Sequence, residues 1–179
     1  MKLAIDVYYP TINSYTVVGI LFNNWKDTEP LETIVIKKSN TEIFPYISGK
    51  FYQRELPPIE NLIEELGEKL LDIDTFIIDG YVKLKGYDGK IWNGLGAELY
   101  KKLSNFGVKN HSVSGVAKSK FGLCSDICSL LYRGESTSPL WISSLGLINT
   151  DEASKCISDM HGDFKIPELL KRLDKETKK

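Results

Sequence analysis

The apolar positions of this chain fall first into short, dense runs and then into a helical rhythm. KLAIDVYY (2–9) and SYTVVGILF (14–22) are rich in β-branched and aromatic residues and bounded by Pro10, Asn13 and Asn23. They are predicted to be two strands of a hairpin or meander, with ETIVIKK (32–38) as a third strand. From residue 59 the period changes: Ile59, Leu62, Ile63, Leu66 and Leu70 recur at helical spacing. A helix over 59–71 follows, with Pro57 and Pro58 suited to its start. DTFIIDG (74–80) is a short apolar run closing on Asp-Gly, the pattern of a buried central strand.

Further along, GLGAELYKKL (94–103) predicts a second helix, while SVSGVA (112–117) and PLWISS (139–144) predict strands. DEASKCISDM (151–160) and IPELLKRLD (166–174) read as helices, the first with Thr150 as its N-cap. The domain is expected to span 1–174, leaving KETKK (175–179) as a frayed, charged tail. Three strands followed by alternating helices and strands predict one α/β domain built on a mixed sheet.

Composition narrows the function classes. At 179 residues and 42% hydrophobic content the chain can bury one good core and is too short for two domains. A formal net charge of -1 argues against a protein that simply coats nucleic acid or anionic lipid. It leaves room for an enzyme with a local basic groove and acidic metal ligands. The three cysteines, Cys124, Cys128 and Cys156, form no CxxC pair and have no histidine at zinc spacing, so reduced, buried thiols are expected. Cys124 and Cys128 would share a helical face if that segment were helical. The apolar start of the chain is broken by Asp6, so neither a signal peptide nor a membrane anchor is expected, and cytoplasm is the default compartment.

Two acidic residues stand out against this background. Asp6 lies inside an apolar strand with no turn chemistry around it, and Asp79 closes another. A carboxylate in such a place needs a partner. Asp79-Gly80 by itself is also an ordinary strand-to-turn signal. If the two strands are neighbours, the carboxylates repel unless a cation lies between them. Magnesium, a hard ion that takes carboxylate oxygens and keeps its waters, suits that place and phosphodiester chemistry. Glu55, at the end of the aromatic run FPYISGKFYQRELP (44–57), is the third candidate ligand. Lys118 emerges at the end of SVSGVA and either stays a solvated lysine or balances phosphate charge.

DVYY (6–9), FPYISGKFYQRELP (44–57), FIIDG (76–80), SGVAKSKF (114–121), PLWISS (139–144) and KIPELLKRLD (165–174) resemble, in order, the motifs of the endonuclease V family. The resemblance implies a ribonuclease H-like fold, a mixed five-stranded sheet flanked by helices. It implies magnesium- or manganese-dependent hydrolysis of a phosphodiester 3′ to a deaminated base, chiefly inosine, in DNA or RNA. Asp6, Glu55 and Asp79 match the metal-binding carboxylates, and Lys118 matches the lysine of the GVAK motif. Pro45, Tyr46 and Ile47 match the wedge that enters the duplex where the damaged base leaves the stack. Extruding the base is what makes it inspectable, and an aromatic wedge can stack in the gap. The wedge should therefore be exposed, with Phe44, Phe51 and Tyr52 packing beneath it. Gly80 matches the backbone-lined base pocket, and Tyr8 the aromatic two residues beyond the first Asp.

The chain also departs from the family. DGYVKLKGYDGK (79–90) puts Val82 where a glycine is usual and Lys85 near the place of a histidine, so Val82 would narrow the base site and Lys85, as a nucleic-acid-binding residue, would alter substrate choice. SSLG (143–146) stands where the family has a Ser-Pro-Gly-His run, and His111 and His161 lie outside both motifs. The expected protein is a monomeric nuclease that binds nucleic acid and no membrane. The alternative is a relative that keeps fold and wedge but cuts weakly or not at all.

Overall fold

The strand-forming runs pair as their patterns ask. In the computed structural model, which describes residues 1–179, β1 (Lys2–Thr11), β2 (Ser14–Phe22) and β3 (Glu32–Lys38) form an antiparallel meander. β4 (Thr75–Asp79) then lies parallel beside β1, and β7 (Ser112–Ala117) lies parallel beside β4. β9 (Leu140–Gly146) and the short β8 (Ser129–Leu131) extend the sheet antiparallel beyond β7. The sheet thus has seven strands in the order β3-β2-β1-β4-β7-β9-β8, not five. PLWISS accounts for one added strand, and β8 is too short for periodicity to reveal. A separate two-stranded hairpin, β5 (Lys83–Lys85) and β6 (Ile91–Asn93), also went unread, for the same reason.

Alternation along the central strands splits the core into two layers. Leu3, Ile5, Val17, Phe76 and Ile78 pack with α1 (Tyr52–Leu66) and α2 (Leu95–Asn105) through Leu62 and Leu99. Ala4, Val18, Ile20, Ile77 and Val116 pack on the other face, against Ala153, Ile157, Leu169 and Leu173. Those four residues come from α3 (Thr150–Asp159) and α4 (Glu168–Thr177). Central strands buried on both faces explain why their sequences read as apolar runs and not as alternation.

Four local expectations are corrected. α1 begins at Tyr52, so Pro57 and Pro58 lie inside it, and it ends at Leu66, the following Gly67–Asp72 being 3-10 helix. The N-cap of α3 is Asn149, whose side chain accepts from the Asp151 and Glu152 amides while Glu152 returns a bond to the Asn149 amide. That reciprocal pair satisfies more free N–H groups than a cap at Thr150 could. The residues 175–177 are helical, and Thr177 is buried with its hydroxyl donating to the Asp174 carbonyl at 2.8 Å. Cys124 and Cys128 share no helical face, since only Cys124–Asp126 is helical, as a 3-10 turn; all three thiols are free.

Candidate functional site

Strand register puts the first two carboxylates side by side. Ile5 pairs with Ile78 in the parallel β1–β4 ladder, so Asp6, still inside β1, and Asp79, the last residue of β4, lie at the same level on neighbouring strands. Asp79 pairs in turn with Val116 of β7, and Lys118 follows two residues later on the same side of the pleat. The Lys118 ammonium donates to the Asp79 carboxylate at 2.7 Å and lies 4.0 Å from Asp174 of α4. Asp79 and Lys118 gather at the carboxyl ends of the parallel β4 and β7, where open α/β sheets bind their ligands, and Asp6 stands beside them from the middle of β1. Gly115 permits the close packing behind them: a Cβ there would stand 2.4 Å from the Gly80 carbonyl oxygen.

Glu55 arrives from the opposite layer, in the first turn of α1, and is only 6% exposed. Its placement depends on a repair to the helix. The Arg54 carbonyl would ordinarily accept from the amide four residues on, but that residue is Pro58, which has no N–H. The Tyr9 hydroxyl donates there instead, at 2.7 Å, and the Arg54 guanidinium lies 4.0 Å from the Tyr9 ring centre. β1 thus carries Asp6 and also holds the turn that carries Glu55.

The electrostatics show groups held against their preference. Burial first, then the Asp79 charge, pushes the Asp6 carboxyl up to about 6, despite the opposing pull of Lys118 and the Val7 amide. Burial and the Asp6 charge push Glu55 up to about 8, against the lowering effect of Tyr9 and Arg54. Burial pulls the Lys118 ammonium down, but its bond to Asp79 and the charges of Asp79, Asp6 and Asp174 outweigh that and leave it raised. Asp6, Glu55, Asp79 and Lys118 all line one cleft of about 440 Å³, together with Tyr46, Phe51, Tyr52, Gly80, Tyr81 and Phe121.

Mutually repelling carboxylates, all oxygen donors, fit a hard divalent cation in their chemistry. In this conformation they do not close on one: no three His, Cys, Asp or Glu side chains are grouped tightly enough to hold an ion. The Asp79 carboxylate is instead engaged by Lys118.

The remaining candidates divide. Tyr46 lines the cleft and is 61% exposed, with its edge toward Phe51 at 5.9 Å between ring centres; Pro45 and Ile47 are exposed beside it. Phe51 and Tyr52 pack against the core beneath as expected, but Phe44 is exposed and does not. Gly80 lines the cleft, whereas Tyr8 is partly exposed and lies outside its lining. Lys85 also lies outside the cleft's lining: its ammonium is paired with Asp126 at 2.6 Å. Val82 does not line the cleft either. It is buried against Gly96 of α2, its amide donating to the Ser143 hydroxyl at 3.0 Å and its carbonyl accepting from Gly94 and Ala97. His111 is buried between Phe76 and Tyr100, with burial pushing its pKa down, and His161 pairs with Glu168 on the surface.

Three residues at the site escaped the sequence reading. Tyr9 was missed although it closes the DVYY run, because its role depends on Pro58, forty-nine residues away in the chain. Tyr81 follows the Asp-Gly pair and braces the segment after Lys118: its hydroxyl donates to the Ser119 carbonyl at 2.6 Å and accepts from the Phe121 amide at 3.2 Å. Asp174 joins the cluster from α4 and adds to the field on Asp6. Its only sequence signal was its place at the end of KIPELLKRLD.

A mixed sheet in this order, with helices on both faces, defines a ribonuclease H-like fold. Within that class, the chain has the fold of endonuclease V. It matches Ciona intestinalis endonuclease V, solved with a 23-mer DNA containing an inosine followed by a ribo-adenosine, with a TM-score of 0.75 and 17% identity over 99% of this chain and 83% of that one. The catalytic domain of human endonuclease V matches with a TM-score of 0.68 and 20% identity, over 99% of this chain and 80% of that one. Endonuclease V from Bacillus subtilis gives 0.65 and 16%, over 99% and 78% of the two chains. No protein-family model and no curated protein sequence matches the chain.

Proposed function

We propose that this chain is a metal-dependent endonuclease of the endonuclease V type, hydrolysing a phosphodiester on the 3′ side of a deaminated base in DNA or RNA. One observation carries the reading: Asp6, Glu55, Asp79 and Lys118 all line a single cleft that also takes in the exposed Tyr46. The fold shared with inosine-bound Ciona endonuclease V supports the same substrate class.

Asp6, Glu55 and Asp79 would hold magnesium or manganese, which when bound supplies an activated water and steadies the leaving oxygen. The protein's own groups do the rest. Lys118 offsets phosphate charge, and the neighbouring Asp79 and Asp174 hold its ammonium in place. Tyr46 stacks in the gap left by the extruded base. The apolar wall of Tyr52, Tyr81, Leu84 and Phe121 receives that base and excludes water.

A second reading, a binding relative with weak or no cleavage, is favoured by one observation: Lys118 occupies Asp79 and the carboxylates are not drawn together. A nicking assay with inosine-containing duplex and single strands, in magnesium and in manganese, separates the two. Cleavage one nucleotide 3′ of inosine is expected. Inosine-selective binding without any cleavage would overturn the enzyme reading in favour of the second.

A further inference from the structure

The hairpin β5–β6 is small, yet it is tied into the wedge loop by one residue. The Trp92 indole N–H donates to the Gly49 carbonyl at 3.0 Å, three residues beyond Tyr46. Gly49 has φ +78, and a Cβ there would lie 3.4 Å from the indole; one on Gly86 would lie 3.0 Å from it. The same ring meets the edge of Phe121, in the cleft wall, at 6.3 Å between centres. The indole is thus fitted to the wedge loop, the hairpin and the segment following Lys118 together. From its other side the hairpin is fastened by the Leu123 amide donating to the Lys85 carbonyl at 2.9 Å and by the Lys85–Asp126 pair.

A hairpin fastened at its base presents its tip rigidly. The turn Gly86–Lys90 is closed by the Gly86 amide donating to the Lys90 carbonyl at 3.0 Å. On it Tyr87 is 82% exposed, beside the exposed Ile91 and the exposed Lys83 and Lys90, the latter 3.5 Å from the Asp88 carboxylate. Between residues 83 and 93 stand three lysines and one acid, Asp88; with Lys85 held by Asp126 and Lys90 near Asp88, the arm keeps a net positive charge, carried by Lys83, on a chain of net charge -1. An exposed tyrosine flanked by lysines suits bases and phosphates, as the wedge loop does with Tyr46 and Lys50.

We infer that hairpin β5–β6 is a second arm of the nucleic-acid surface, braced to the wedge loop by Trp92, with Tyr87 and Lys90 contacting the strand beside the lesion. The inference rests on the proposed nucleic-acid function and adds to it a contact surface outside the cleft. Trp92 acts as a positioning residue, while Tyr87 and Lys90 touch the ligand.

The test is fluorescence anisotropy of a labelled inosine duplex and its undamaged counterpart, in calcium and across a salt series. Tyr87→Ala combined with Lys90→Ala should weaken binding of both duplexes by roughly three- to tenfold and lower the salt slope by about one. Binding should also shift tryptophan emission in the wild type, and Trp92→Phe should abolish that shift and weaken binding. The tip residues are solvent-exposed, so the double variant keeps its fold and decides the matter even if Trp92→Phe does not. Wild-type affinity and slope in the double variant, with Tyr46→Ala weakening the inosine duplex, would overturn the arm and leave the proposed function standing. A wild-type protein that binds neither duplex would overturn both.

Discussion

The Tyr9 hydroxyl donates to the Arg54 carbonyl at 2.7 Å, supplying the donor that Pro58 withholds from α1. One β-strand thereby controls two acidic residues, Asp6 in its own register and Glu55 through the turn it clamps. Tyr9→Phe removes the bond and keeps the ring. It is expected to cost about 1–2 kcal/mol of stability by urea denaturation, as a part-buried carbonyl loses its donor. Cleavage should fall further than stability alone accounts for, and the magnesium concentration needed for half-maximal rate should rise. An unchanged magnesium requirement would separate Glu55 from the clamp.

Asp6 and Glu55 make the metal-free protein sensitive to pH, and the sign follows from linkage. Both carboxyls are raised in the fold, Asp6 to about 6 and Glu55 to about 8, so the folded state binds more protons than the unfolded chain. The associated stability is fully present below the ordinary carboxylate pKa near 4 and is lost as pH rises through about 8. Thermal melting in EDTA should therefore show Tm falling between pH 5 and pH 8.5, by a loss on the order of a few kcal/mol. Magnesium at pH 8 should restore much of it. A flat profile in EDTA would mean the two carboxyls are not opposed as described.

Removing one charge should trade activity for stability. Asp6→Asn keeps the side chain's size and deletes the repulsion with Asp79 and Glu55. Its Tm at pH 8 in EDTA is expected to exceed that of the wild type, while inosine cleavage in magnesium drops below detection. Asp79→Ala should also abolish cleavage, and in addition frees Lys118 from its partner. Activity surviving both substitutions would remove these residues from the chemistry.

The wedge is tested by Tyr46→Ala. A side chain this exposed, resting edge-on against Phe51, contributes little to folding. Its loss should leave Tm within about 1 °C and weaken inosine-duplex binding by roughly 1–3 kcal/mol, the worth of one base–aromatic stack. Unchanged affinity would take Tyr46 out of the interface.

Arg133 offers a purely structural prediction near the site. Its buried guanidinium donates to the carbonyls of Phe164, Met160 and Gly162 at 2.7, 2.6 and 2.9 Å. These oxygens line the loop that leads into α4 and hence to Asp174. Arg133→Met should destabilise the protein by about 3–5 kcal/mol in urea titration, because buried carbonyls lose their charged donor. A smaller loss would show that the loop is held by α4 itself.

By itself the sequence determined the elements whose signal is local. β2, β3 and β7 lie where their apolar runs end, and the order of strands and helices was enough to predict a mixed α/β sheet. Asp6 and Asp79 were legible as charges misplaced in apolar strands, and Tyr46 as an aromatic between Pro45 and Gly49 in a loop. Only the tertiary structure decided the partners. The parallel register of β1 and β4 puts Asp6 beside Asp79 across more than seventy residues of chain, and no periodicity encodes that. Lys85 looked available to a ligand until folding brought Asp126 against it, and Val82 looked like a pocket residue until α2 closed over it. Hydrophobic pattern reports which face of an element is buried. Which groups meet across the core depends on register and packing between distant segments, and there the site is made.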